Sequence, residues 1–169
     1  MSELSLWLDY YDDIYSDFDS RHYLRRRISE DFLHELRMAK KYKPRNITDL
    51  VLLLPAEKRS EESERIIASS LKDFFKDQFQ VQNDNYKRKL NRGLLMMIIG
   101  LLIMVANSYI NFKNLHTLFI SIIKTVLDPA GWFLLWFGFD FLFYDLVELK
   151  KEREFFVELS EANIHFKSS

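Results

Sequence analysis

A chain of 169 residues, with 24 Lys and Arg against 25 Asp and Glu, has room for one ordinary hydrophobic core and lacks the cationic excess of a nucleic-acid binder. The absence of cysteine excludes disulfides, thiolate metal sites and a cysteine nucleophile. With 48% apolar residues, four Gly and three Pro, the composition is that of a folded chain, and its mean hydropathy of −0.18 conceals two unlike parts. Residues 1–92 are crowded with charge, whereas residues 93–144 carry only Lys113, Lys124, Asp128 and Asp140.

Leu4, Leu6, Leu8 and Tyr10 alternate with Ser5, Trp7 and Asp9, which predicts a strand. The acidic run Asp9, Asp12, Asp13, Asp17 and Asp19 lacks the Gly and the closing Glu of a calcium loop. It reads as a solvated or Arg-paired loop ahead of Arg21, Arg25, Arg26 and Arg27. Ser29 with Glu30 and Asp31 opens a helix whose Phe32, Leu36 and Ala39 recur on one side, up to the basic run at Lys43 and Pro44. Residues 48–54 form a short apolar run closed by Pro55, the pattern of a buried strand. Ser60 with Glu61, Glu62 and Glu64 opens a second helix, with Ile67, Leu71, Phe74, Phe75 and Phe79 on one face. Nothing from there through Tyr86 breaks it before the first apolar stretch.

Residues 93–110 carry no charge and would reach about 27 Å as a helix, close to the hydrocarbon thickness of a bilayer. A soluble helix would show one polar face, and this one shows none. Its position some ninety residues into the chain argues against a signal peptide. Residues 115–127 read as an amphipathic helix, with Thr117, Ser121, Lys124 and Asp128 on a polar stripe opposite Leu118, Ile122 and Val126. Asp128 followed by Pro129 is a helix-start signal, and a single helix over 115–147 would run about 50 Å, too long for one bilayer. A break at 128–129 and a second span over 129–147 are therefore expected. Lys87, Arg88, Lys89 and Arg92 precede the first span, and Lys150, Lys151 and Arg153 follow the second, which puts both termini in the cytoplasm. Leu146, Leu149, Phe156 and Leu159 predict a further helix. Residues 163–167 predict a last strand, expected to return and complete the N-terminal sheet.

The expected fold class is membrane α+β: a two-helix transmembrane hairpin with a small cytoplasmic α+β domain formed by both termini. Its parts are 1–86, 87–147 and 148–169. Within the hairpin, Trp132, Trp136, Asp140 and Tyr144 are four residues apart and share one face. Asp140 would lie about 16 Å into a helix that began at Pro129, where a carboxylate must be neutral, paired or facing water. That face is either a helix–helix seam, with Asp140 hydrogen-bonded to Trp or Tyr, or the wall of a path for ions. His22, His34, His116 and His165 have no metal-ligand spacing, and no phosphate loop or nucleophile motif is present. The chain reads as a non-enzyme without cofactor or metal.

The run GWFLLWFGFDFLFYD resembles the second span of an uncharacterised bacterial family of small two-span membrane proteins. The family pattern is Gly-Trp, three residues, Trp, an acid four residues on, and an aromatic-acid pair before a basic helix. Gly131, Trp132, Trp136, Asp140, Tyr144 and Asp145 match it in order. Where the family carries a proline or similar residue after the second Trp, this chain has Phe137 and Gly138. The likeness is strongest over residues 129–160. It implies a two-span layout in a bacterial inner membrane, and no activity. The expected role is a homo-oligomeric, membrane-anchored interaction or signalling module with the bilayer, further copies of itself and a cytoplasmic protein as partners. An oligomeric ion channel with Asp140 facing the path is the alternative.

Overall fold

The computed structural model describes residues 3–19, 21, 26–42, 46–113 and 117–168. His22, Arg25, the Lys43 and Pro44 helix stop, Leu115 and His116 lie outside the described residues. In chain order the elements are β1 (Glu3–Trp7), a 3-10 turn (Tyr11–Ile14), α1 (Glu30–Tyr42), β2 (Asp49–Leu54), a 3-10 turn (Ala56–Lys58), α2 (Glu61–Phe112), α3 (Leu118–Asp140), a π-helical turn (Phe141–Asp145), α4 (Leu146–Glu161) and β3 (Asn163–Ser168). The structure is thus mostly helical, with a small parallel sheet and two helices long and apolar enough to cross a membrane. It divides into two compact units, Met1–Gln80 with Glu154–Ser169, and Val81–Arg153.

The first unit holds the sheet, ordered β1-β2-β3 with both pairings parallel. Parallel neighbours need crossover connections. The β1–β2 crossover carries α1, and the β2–β3 crossover carries everything from α2 to α4. The register Leu4↔Leu50↔Ile164 and Leu6↔Leu52↔Phe166 lines up one apolar face. Against it pack Phe32, Leu33 and Leu36 of α1, Ile67, Leu71 and Phe75 of α2, and Phe155, Phe156 and Leu159 of α4, in one core. The other face carries Ser5, Trp7, His165 and Lys167. There the Lys167–Glu3 ion pair (3.4 Å) reaches from β3 to β1 across the central strand, whose Val51 is buried. Glu158 of α4 ties the remaining ends together. Its carboxylate accepts from the Ile47 N–H (3.1 Å) and pairs with Lys40 (2.8 Å) at the end of α1.

The helix opened at Ser60 does run unbroken into the apolar stretch, ending at Phe112. The expected break at Asp128-Pro129 is absent. The amphipathic helix of 115–127 and the second span of 129–147 begin as one helix, α3, capped by the Thr117 hydroxyl, which accepts from the Ile120 N–H (3.4 Å), and containing Pro129. The Asp128 carboxylate that would have capped a new helix is engaged elsewhere, accepting from the Asn107 side-chain amide at 2.7 Å. Pro129 then forfeits only its own bond to the Thr125 carbonyl, a loss apolar helices tolerate. α3 keeps regular α geometry for 23 residues, about 34 Å, and then runs on through the π turn into α4.

Truncating the core should separate from truncating the surface. Phe156→Ala, at a fully buried ring, is expected to cost about 3–5 kcal/mol. Phe18→Ala, at an exposed one, should stay within about 0.5 kcal/mol. Thermal unfolding of the two variants in the same detergent checks the difference.

Candidate functional site

All four glycines of the chain lie where α2 meets α3. Gly93 and Gly100 are seven residues apart on α2, and Gly131 and Gly138 are seven apart on α3. A Cβ on Gly100 would stand 2.7 Å from the Leu135 backbone nitrogen and 2.8 Å from the Gly131 carbonyl oxygen. One on Gly138 would stand 3.0 Å from the Gly93 oxygen and 3.1 Å from the Met97 nitrogen. Gly100 therefore faces Gly131 while Gly93 faces Gly138, an antiparallel pair whose backbones touch. A seven-residue period keeps small residues on one seam, and small residues allow such an approach.

Seven residues beyond Gly100 the seam position is Asn107, only 3% exposed. Its amide donates to Asp128 Oδ1 (2.7 Å), and its own Oδ1 is buried without a partner. One turn further along α2, Asn111 accepts a hydrogen bond from the Lys124 ammonium. Lys124 and Asp128 of the expected polar stripe thus point at α2. Thr117 caps α3, and the carbonyl of Ser121 accepts from the Thr125 hydroxyl (2.9 Å). Two of the four stripe residues, Lys124 and Asp128, thus make hairpin contacts, and the other two bond within α3.

The other expected face looks away from the seam. Trp132 and Trp136 are 60% and 67% exposed, and Asp140 and Tyr144 are exposed beside them. Tyr144 falls within the π turn, where the Leu146 N–H bonds to the Phe141 carbonyl. That turn resets the helical phase, so the stripe does not continue in line. Phe133, Phe137 and Phe141 form a second row of stacked and tilted rings. This aromatic surface is not the seam of the hairpin; glycine is.

The pairing also fixes levels along the axis. With Gly138 against Gly93 and Met97, Asp140 stands level with residues 91–95, which include Arg92, and not deep in the apolar stretch. From Arg92 to Lys113 the chain rises about 31 Å. Asp128, at the level of Asn107, is about 9 Å inside the Lys113 end. Asn107 and Asn111 were legible only as uncharged residues of an apolar run; the glycine pairs seven apart were the available signal of the seam.

A second polar cluster sits in the first unit, beyond the carboxyl ends of the strands. Arg59 donates to both carboxylate oxygens of Glu64 (2.8 and 3.0 Å), to the Phe166 carbonyl (3.1 Å) and to the Ser168 hydroxyl (3.1 Å). The Tyr11 hydroxyl donates to Glu64 (3.2 Å) and accepts from the Ser60 N–H (2.9 Å). Arg59 holds the Glu64 carboxyl below its ordinary value of 4.5, burial raises Tyr11, and the Thr48 hydroxyl lowers Asp49. With every Arg59 nitrogen bonded within the chain, the cluster clamps the end of β3 to the start of α2. Among the described residues no group of three His, Asp or Glu is placed to hold a metal ion. No family model, curated protein or solved structure matches the chain.

Gly100→Ala should destabilise the hairpin by about 1–3 kcal/mol through overpacking, whereas Leu102→Ala on the exposed side should change little, as read by thermal unfolding in detergent. The Glu64 clamp has its own signature. A carboxyl with a lowered folded pKa stabilises the fold above its ordinary value and loses that contribution as pH falls through the lowered one. Stability should therefore decline on acidification below about pH 4.5, and Glu64→Gln should remove part of that decline in melts across the range.

Proposed function

We propose that this chain is a homo-oligomeric integral membrane protein of the bacterial inner membrane, serving as a membrane-anchored interaction or signalling module with both termini in the cytoplasm. The carrying observation is the apolar surface that the two long helices leave uncovered. Only 17% of the residues in the most apolar stretch of α2 and 6% of those in the most apolar stretch of the second helix are buried. A core helix of a soluble protein would be mostly buried. Lipid covers such a surface without further cost, whereas in water contiguous apolar patches above a few hundred Å² are rare.

The ends of this surface support the same reading. Exposed Arg88 and Arg92 flank one end, with Tyr144 at their level. Lys113, stacked over the exposed Tyr109 ring (5.9 Å), flanks the other. Amphipathic aromatics and cations at both ends, about 31 Å apart, match a hydrocarbon core of about 30 Å with its interfacial belts. Four cations before the first helix enters and three after the second leaves favour cytoplasmic termini. The first unit, with a polar open sheet face and charges paired within it, fits a water-facing module that meets a cytoplasmic protein. The level of Asp140 beside Arg92 supports an interfacial role for it, in keeping with an anchor rather than a pore.

The cysteine-free sequence makes labelling clean. Lys113→Cys in intact spheroplasts should react with an impermeant maleimide, and Ser168→Cys only after permeabilisation, while both stay in the membrane pellet after alkaline carbonate. Reversed labelling would overturn the orientation, and release by carbonate would overturn the membrane reading. In nanodiscs the particle mass should exceed one chain.

A further inference from the structure

Resting on the membrane reading above, we infer that copies of this chain associate through the flank of the hairpin that carries Lys124 and Asp128, each Lys124 pairing with the Asp128 of a neighbouring copy. In a single chain this ladder is short of partners. Asp128 spends one oxygen on Asn107, and its other oxygen has no donor among the described residues. Among the described residues Lys124 donates to Asn111 alone, leaving N–H donors free there. The Asn107 Oδ1 is buried with nothing to accept from. Asp128 remains exposed in one chain and Lys124 half-exposed, so in the hairpin by itself Asp128 would meet lipid about 9 Å from the Lys113 end, and Lys124, level with Asn111, about 3 Å from it. A carboxylate at the depth of Asp128 turns towards a protein neighbour, and the Lys124 ammonium one turn nearer the end is the cation within reach of it.

The two charges are opposite and one helical turn apart, so the flank is complementary to a copy of itself. Each lysine, whose stem spans about one turn, reaches the neighbour's carboxylate one turn further from the Lys113 end. The Trp132, Trp136 and Asp140 face has no such complement, because its one charge stands level with Arg92 and meets headgroups and water. The same flank keeps its contacts to Asn107 and Asn111, so association completes the ladder without dismantling the hairpin.

The test uses the full chain in lipid vesicles, with subunit number counted by single-molecule photobleaching and insertion checked by carbonate resistance. Asp128→Asn still accepts from Asn107 but has lost its charge, and should weaken self-association about tenfold or more while remaining inserted. Lys124→Asp alone and Asp128→Lys alone should each be inserted monomers. Co-reconstituted, the two should form mixed oligomers, because every interface then sets acid against base. Variants that assemble singly like the wild type, or an inserted pair that fails to assemble together, would overturn the interface. An inserted but monomeric wild type would overturn it as well. Wild-type chain released by carbonate would overturn the membrane reading first, and the interface with it.

Discussion

Everything in the second unit depends on how closely two helices can approach. Gly100 against Gly131 and Gly93 against Gly138 let backbone meet backbone, with carbonyl oxygens and amide nitrogens where side chains would otherwise stand. In the proposed lipid surrounding there would be no hydrophobic drive between helices, so dispersion contacts at short range and hydrogen bonds would hold them. The seam supplies the first through its glycines and the second through Asn107 with Asp128. Because the same approach sets the register, it also decides which residues stand at which level. Asp140 is carried to the basic end beside Arg92, and Asp128 is drawn inside.

The polar residues of the apolar stretch follow one logic. Asn107 is an amide, which can be buried between helices at the cost of finding partners, and it finds Asp128. Asp128, engaged this way, no longer starts a helix, and α3 runs through Pro129 without interruption. After Asp140 the helix passes through a π turn, Phe141–Asp145, before α4 begins. Outside the apolar stretch, two ion pairs act as clamps between elements. Glu158 joins α4 to α1 and to the start of β2, and Arg59 joins the start of α2 to the end of β3. The parallel sheet, with β3 arriving from the far end of the chain, is held by these clamps as well as by its core.

Much of the architecture was legible in local patterns. The alternation from Leu4 to Tyr10, the acid-rich helix starts at Ser29 and Ser60, and the uninterrupted helical stretch through Tyr86 each express a preference of a few neighbouring residues. Backbone geometry and desolvation act at that range, so strands, helices and the two long apolar segments could be read directly. The return of the last strand to the N-terminal sheet followed from the same physics, since isolated short strands are marginal.

What local pattern could not supply was which of several competing partners a side chain takes. Asp128 and Pro129 carry every signal of a helix start, and the signal lost because Asn107, 21 residues away in sequence, offered the carboxylate a stronger claim. Trp132, Trp136 and Asp140 share a face by spacing alone. Whether that face is seam or surface depended on where the glycines allowed α2 to lie. The lengths, polarity and element types belong to the sequence by itself, because they are set by neighbours along the chain. The seam, the level of each charge and the parallel order of the strands belong to the tertiary structure, because they are set by contacts between residues far apart in sequence that compete for the same groups.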